Sequence, residues 1–307
     1  MVNKISIVGA GRVGESVAQM IAIKKLSQHI MLIGRDAQRT KGIALDIQET
    51  ASSHLFDTKL LSSNKIADIK DSDIVIITAG SPRKPGMTRD DVLCVNLKII
   101  DEIIAGVVQY AENAYVIVVS NPVDVLTYYA AKKSKFPRNR IIGQAGILDS
   151  MRLSSFIAME TGYSINDIQA MVLGGHGDTM VPMPRFTTIS GVSIEYLLDK
   201  QTIDNLIQRT RDGGAEILNL KQKSSAYDAP GAAVTTMVEA IVQNKHRVLP
   251  CISLLQGEYD QEDIAIGVPI VLGANGVEKI IELDFNQQEK TAFDISIQAI
   301  RATIDKI

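Results

Sequence analysis

Cysteine is scarce in this sequence. Its two residues, Cys94 and Cys251, are far apart and lack metal-like spacing. They read as free thiols of a reducing, cytoplasmic setting. Histidine is sparse too: His29, His54, His176 and His246 do not cluster, so no metal site is expected. No apolar run is long enough to cross a bilayer. The opening MVNKISIVGAG enters a strand-like run at once and lacks the layout of a signal peptide. Charge of one sign is not in excess: 32 Lys and Arg face 35 Asp and Glu, a net of −3. That balance gives no electrostatic basis for binding nucleic acid or an anionic membrane. Internal repeats and low-complexity tails are missing as well.

What is present is a chain of 307 residues, 46% hydrophobic and 22% charged, enough for one large domain or two ordinary ones. Its first half alternates. KISIV (4–8), HIMLI (29–33), DIVIIT (73–78) and YVIVVS (115–120) are short apolar runs of the kind buried on both faces of a sheet. Helical stretches lie between them: VGESVAQMIAIKK, QRTKGIALDIQETA and LCVNLKIIDEIIAGVVQYA. Alternation of this kind predicts an α/β, doubly wound parallel sheet.

The second half changes character. DSMRLSSFIAMETG (149–162) reads as a helix, and IQAMVLGG as a strand running into a loop. PRFTTISGVSI (184–194) suggests a hairpin turning at Ser190-Gly191. Helical patterns follow at 201–221 and 231–244. RVLPCISLLQG, IAIGVPIVLG and GVEKIIEL read as an antiparallel meander, and a helix over roughly 286–306 closes the chain. The expected division is 1–145 and 146–307, a Rossmann-type unit followed by a mixed α+β catalytic unit. No flexible linker marks the boundary, so the two are expected to pack tightly.

GAGRVG (9–14) is a G-x-G-x-x-G fingerprint between a strand and a helix, at the front of a βαβ unit. In that context Gly9 permits the tight turn, Gly11 lets a pyrophosphate approach the backbone, and Gly14 lets helix and strand pack closely. The helix N-terminus then faces the phosphates. A NAD site usually has Asp or Glu about 20 residues further on, bonded to the adenosine ribose. Here the strand HIMLI ends in Gly34 and Arg35. Glycine leaves room for a 2′-phosphate and arginine can pair with it, with Arg39 as a further charge. Arg35 is otherwise a solvated turn residue. Asp36 is either a displaced ribose acid or a cap for the next helix. The cofactor is therefore NAD or NADP, with NADP preferred or both accepted.

The segment SPRKPGMTRDD (81–91) holds two prolines, a glycine and three cations, Arg83, Lys84 and Arg89. It is either a solvated surface loop or a lid that closes on an anion. Three more segments bear on the choice: SNPVDV (120–125), GILDSMRLSS (146–155) and GGHGDTMVP (174–182). His176, between glycines after a strand, has the side chain whose pKa suits a general base near neutrality. Asp149 and Arg152 share a helix face if both are helical. On residues alone, His176 is also readable as a surface histidine, Asp149 as a helix cap, Asp149–Arg152 as a surface pair and Asn121 as a turn former.

With these four segments, and with GAGRVG, SAYDAPGAA and IGVPIVLG in order and spacing, the chain closely resembles the lactate/malate dehydrogenase superfamily. The nearest match is its lactate-dehydrogenase-like group of malate dehydrogenases, and the resemblance runs almost end to end. It implies a Rossmann domain, a mixed catalytic domain and a homodimer or homotetramer, with reversible hydride transfer between (S)-malate or oxaloacetate and a nicotinamide cofactor. It implies His176 as acid and base, Asp149 as its partner and Arg152 as the grip on one substrate carboxylate. The resemblance also implies that Arg89 polarises the carbonyl, that Asn121 contacts substrate or the nicotinamide ribose, and that Ser225, in SSAYDAP, lines the nicotinamide side. Arg83 occupies the loop position that separates family members: arginine resembles malate dehydrogenase, glutamine lactate dehydrogenase. Closing the lid over a dicarboxylate gives Arg83 a counter-charge, whereas closing it over pyruvate strands it. The other readings are a lactate or other 2-hydroxy-acid dehydrogenase, which Arg83 opposes, and a non-catalytic dinucleotide sensor, which the intact set His176, Asp149, Arg152 and Arg89 opposes.

Overall fold

The run ISIV is buried on both faces because it lies inside a parallel sheet. In the computed structural model, which describes residues 2–82, 86–222 and 224–307 without the side chain of Arg89, the first half contains β1 (Val2–Val8), α1 (Arg12–Ile23), β2 (Ser27–Ile33), α2 (Ala37–Glu49), a short α3 (Ala51–His54), β3 (Lys59–Ser63), β4 (Ile74–Ile77), α4 (Arg89–Tyr110), β5 (Tyr115–Val118), α5 (Val123–Ser134) and β6 (Ile141–Gly143). The six strands run parallel in the order β3-β2-β1-β4-β5-β6. From β1 the chain moves outward to β2 and β3, then crosses back to β4 on the other side of β1 and continues to β5 and β6. The crevice between the carboxyl ends of β1 and β4 is thus the topological switch point, where open α/β sheets bind ligands.

The strands sort their side chains by parity. Ile5, Ile7, Ile74 and Ile76 pack with Val17 and Ile21 of α1 on one face, while Val8, Val75, Ile77 and Val116 pack with Ile100 and Ile104 of α4 on the other. Period-two alternation sends neighbouring residues to opposite layers, and both layers are apolar, so the runs read as continuous. β3 escaped the sequence reading because KLLSS is a short, half-exposed edge strand, and β6 because it has three residues.

The second half contains α6 (Gly146–Thr161), β7 (Ile168–Gln169), β8 (Val172–Gly174), β9 (Met180–Pro182), β10 (Thr188–Ile189), β11 (Val192–Ser193), α7 (Lys200–Lys221), α8 (Asp228–Val242), β12 (Arg247–Gln256), β13 (Glu262–Gly273), β14 (Gly276–Ile280) and α9 (Gln287–Ile304). The meander β12-β13-β14 is antiparallel as expected. Ser190 and Gly191 turn the β10–β11 hairpin with φ of 48° and 83°, the positive values a two-residue turn of this hand requires. The expected single strand IQAMVLGG is instead two. Gln169 pairs with Thr188 in a small sheet and Gly174 with Gly267 in the large one, so the chain changes partners between them. The large sheet also continues from β6 into β12 through Gly143 and Ile252, and α8 packs on α1. The halves therefore share one sheet and one core.

A second difference concerns the loop 81–91. The helix expected from Leu93 begins at Arg89. Thr88 Oγ1 accepts from Asp91 N–H at 3.1 Å and Asp91 Oδ2 accepts from Thr88 N–H at 2.8 Å. TRDD is a capping box, so Arg89 is the first helical residue and not part of the loop.

Candidate active site

The fingerprint forms the cradle its glycines require. Gly9 has φ of +124°, and a Cβ there would collide with Thr78 and the Ala79 backbone. A Cβ on Gly14 would collide with the Gly9 carbonyl. Gly11 is different: nothing lies within 4 Å of where its Cβ would be. Gly11 is also the N-cap of α1 and supplies no capping side chain. Open space in front of an uncapped helix N-terminus fits a pyrophosphate.

At the end of β2, the Gly34 N–H donates to the Ser63 carbonyl at 3.0 Å. A Cβ on Gly34 would strike Thr40 Oγ1 and come within 2.8 Å of Ala10 Cβ. No side chain fits at residue 34 unless both Thr40 and Ala10 move. Asp36 acts as the cap of α2, its Oδ1 accepting from Arg39 N–H at 3.0 Å. Arg35 and Arg39 are exposed beside it.

Asp149 lies in the first turn of α6, whose N-cap is Ala145, so it is not the helix cap. Its Oδ2 is 2.9 Å from His176 Nδ1 and its Oδ1 accepts from Arg152 Nη1 at 3.1 Å. Asp149 is buried, and the His176 and Arg152 side chains are 18% and 11% exposed. Neither the surface-histidine nor the surface-pair reading survives this geometry. His176 sits between β8 and β9 on a loop held from two sides. Its N–H donates to Asp124 Oδ2 at 3.0 Å, and Gly175 N–H donates to Ser296 Oγ of α9 at 2.7 Å. Burial lowers the affinity of the imidazole for a proton. The Asp149 carboxylate, by charge and hydrogen bond, and the Asp124 charge outweigh it, while Arg152 opposes; the net displacement is upward. With Nδ1 engaged by Asp149, Nε2 is left for proton exchange.

Arg152 Nε is buried and has no partner among the described residues. A buried guanidinium N–H in that state calls for an acceptor, and a substrate carboxylate supplies one. Gly213 of α7 helps make the room: a Cβ there would lie 3.3 Å from Arg152 Cδ, a tight contact, whereas one on Gly214 would make only an ordinary contact, 3.9 Å from Nη2. The sequence signal was available, because a glycine inside a helix costs about 1 kcal/mol relative to alanine and asks for a packing reason.

Two further residues escaped the sequence reading. Asp124, in the first turn of α5, is buried, and desolvation raises its carboxyl pKa to about 6. Asn96, on the buried face of α4, accepts from Ser81 N–H at 2.7 Å and donates to the Asn121 carbonyl at 2.7 Å. It ties the start of the 81–88 loop to the turn after β5. A polar residue among Leu93, Ile100 and Ile103 at helical spacing was the readable signal. Asn121 itself is exposed in that turn. Ser225 is exposed ahead of α8, and the nearby Tyr227 ring lies under the Arg12 guanidinium at 5.4 Å, which brings SSAYDAP beside the fingerprint. Arg83 and Lys84 lie outside the described residues, as does the side chain of Arg89. No group of three or more metal-ligating side chains occurs among the described residues, and no helix among them is long and apolar enough to cross a membrane.

Comparison with known proteins agrees with this fold. The profile of the lactate/malate dehydrogenase NAD binding domain matches residues 3–143, and that of the lactate/malate dehydrogenase alpha/beta C-terminal domain matches residues 147–307. The chain is 51% identical over 305 residues to the malate dehydrogenase of Thioalkalivibrio sulfidiphilus, covering 99% of each. Among solved structures, the apo malate dehydrogenase of Picrophilus torridus superposes with a TM-score of 0.96 at 40% identity, covering 99% of this chain and 97% of that one. The lactate dehydrogenase of Cryptosporidium parvum, solved with lactic acid and nicotinamide adenine dinucleotide, superposes with 0.94 at 34% identity, covering 99% and 98%. With an α/β Rossmann-type sheet, a C-terminal α/β half and both family profiles matched in order, this chain belongs to the lactate/malate dehydrogenase family.

Proposed function

We propose that the chain is an NAD(P)-dependent malate dehydrogenase that interconverts (S)-malate and oxaloacetate by direct hydride transfer. The observation that carries the reading is the shared carboxylate of Asp149, which joins a proton-exchanging histidine to a guanidinium with an unpartnered buried N–H. The names of the curated relatives agree with it. The fold does not distinguish malate from lactate, since lactate dehydrogenases superpose equally well. Residue 83 carries that distinction, and it is arginine.

The chain's own groups divide the work. Arg152 holds the carboxylate next to the reacting carbon. Arg83 pairs with the distal carboxylate, and Arg89 stabilises charge on the carbonyl oxygen. His176 Nε2 gives a proton to that oxygen during reduction and takes it back during oxidation, while Asp149 holds the ring and stabilises its protonated form. The bound nicotinamide dinucleotide supplies or accepts the hydride. Gly9, Gly11, Gly14, Gly34, Arg35 and Asn121 are the residues that hold the dinucleotide. Loop 81–88 is the lid, closing after the dinucleotide binds.

In this reading the cofactor is NADP or both dinucleotides, supported by the missing acid at Gly34 and the exposed Arg35 and Arg39. The two functional units divide near residue 145, between β6 and α6. The enzyme works in the cytoplasm as a homodimer or homotetramer. A steady-state matrix of oxaloacetate and pyruvate against NADH and NADPH tests the reading. Oxaloacetate should be strongly preferred, and equal turnover of pyruvate would remove the malate assignment.

A further inference from the structure

We propose that Asp124 is a positioning residue for the acid–base histidine, holding its loop through the main chain and setting the electrostatic field at its ring. The proposal rests on the assignment of His176 above. Asp124 is 7% exposed. Its Oδ2 accepts the His176 N–H at 3.0 Å, and its Oδ1 is buried with no partner among the described residues. A buried carboxylate with one orphaned oxygen is costly unless its charge does something. If Asp124 served only as a main-chain acceptor, a neutral asparagine would do the same without the desolvation penalty.

The surroundings show where the charge acts. Asp149 and Arg152 of α6 face His176, the first in direct contact and the second opposing it. Ser296 and Ile300 of α9 approach the neighbouring Gly175 and are neutral. Asp178, on the same loop, is exposed. Asp124 is therefore a second buried carboxylate, after Asp149, whose charge reaches the imidazole, from its contact with the His176 main chain. A negative charge there favours the imidazolium. Oxaloacetate reduction consumes the imidazolium, so Asp124 extends that reaction to higher pH. Because burial places its own proton affinity at about 6, the effect weakens as Asp124 takes up a proton on the acid side.

Asp124→Asn tests this directly, since the amide oxygen can still accept the His176 N–H. The measurement is kcat/KM for oxaloacetate against pH, with circular dichroism and thermal melting to establish folding. The alkaline limb should move to lower pH, each unit of displacement reading as about a tenfold loss on that side. Asp124→Ala should also lower kcat at every pH, because the loop loses its anchor. A folded Asp124→Asn enzyme with an unmoved limb overturns the proposal. Should that variant not fold, the wild-type holoenzyme decides by carbon-13 NMR of labelled histidine. The His176 ring signal, assigned by its loss in His176→Asn, should show a second inflection near pH 6 beside its own; a single inflection overturns the proposal. His176→Asn separates the two layers. Full activity in that variant overturns the assignment of His176, whereas lost activity with an unmoved Asp124→Asn limb overturns Asp124 alone.

Discussion

Asp149 divides its carboxylate between His176 and Arg152, with Oδ2 at 2.9 Å from the ring nitrogen and Oδ1 at 3.1 Å from the guanidinium. In the proposed mechanism, one buried side chain thereby sets both the tautomer of the acid–base ring and the position of the guanidinium that would grip substrate. The two functions are coupled, and a change at residue 149 should damage both.

Asp149→Asn should lower kcat/KM for oxaloacetate by about a hundredfold, within the range removed by losing one acid–base partner. The amide can turn its NH2 toward Nδ1 and favour the wrong tautomer. The sign of the pH effect is fixed: His176 is raised in the folded protein. Its pairing thus stabilises the fold fully below the ordinary histidine value and ceases to do so as pH rises through the raised one. The variant should lose activity first on the alkaline side. Rates within a few-fold of wild type at all pH values would contradict the role given to Asp149.

Arg83→Gln should move selectivity from oxaloacetate toward pyruvate. A charged hydrogen bond contributes roughly 1.5–3 kcal/mol, and stranding the charge costs more. The ratio of the two kcat/KM values should thus change by at least about tenfold. Competition assays with both keto acids give that ratio directly, and an unchanged ratio would show that residue 83 does not read the substrate's far end.

Arg35→Ala should reduce kcat/KM for NADPH by up to about tenfold and leave NADH nearly unchanged. The effect is limited because Arg35 is exposed and solvent screens it. A wild-type enzyme that strongly prefers NADH, and keeps that preference after Arg35→Ala, removes the NADP reading. Gly34→Asp is a poorer probe, because its Cβ must first displace Thr40 and Ala10.

Away from the site, Glu258 accepts from Arg138 through two bonds, at 2.7 Å and 3.0 Å, which with backbone donors hold its carboxyl at about 2. A depressed carboxylate stabilises the fold above its unfolded value and ceases to as pH falls through the folded one. Glu258→Gln should therefore cost about 2 kcal/mol near neutrality. The gap from wild type in urea melts should close as pH falls from about 4.5 toward 2. A gap that persists at low pH would show that the charge of Glu258 is not what stabilises.

The cofactor cradle was legible because its constraints are local. Gly9, Gly11 and Gly14 answer to one turn and the start of one helix, all within six residues. The β10–β11 hairpin was legible for the same reason, since Ser190-Gly191 is a turn signal that needs no partner elsewhere. The start of α4 was missed although TRDD is a capping box, because the prolines and glycine before it pulled the reading toward loop. β7 and β8 were merged because nothing in IQAMVLGG records that its two ends pair with different sheets.

By itself, the order of residues determined the alternating α/β half, the dinucleotide turn, the missing acid at Gly34 and the meander that precedes the last helix. These follow from period, turn chemistry and steric freedom over a few residues. The meeting of Asp149 with His176 across 27 residues was expected through the family resemblance alone, and only the tertiary structure showed its geometry and decided that Asp124 reaches the His176 main chain across 52. Such meetings depend on how α5, α6 and the loop after β8 converge at the end of one continuous sheet. A carboxylate acquires its unusual proton affinity from the water it loses and the charges it gains, and both are set by packing rather than by neighbours in the chain.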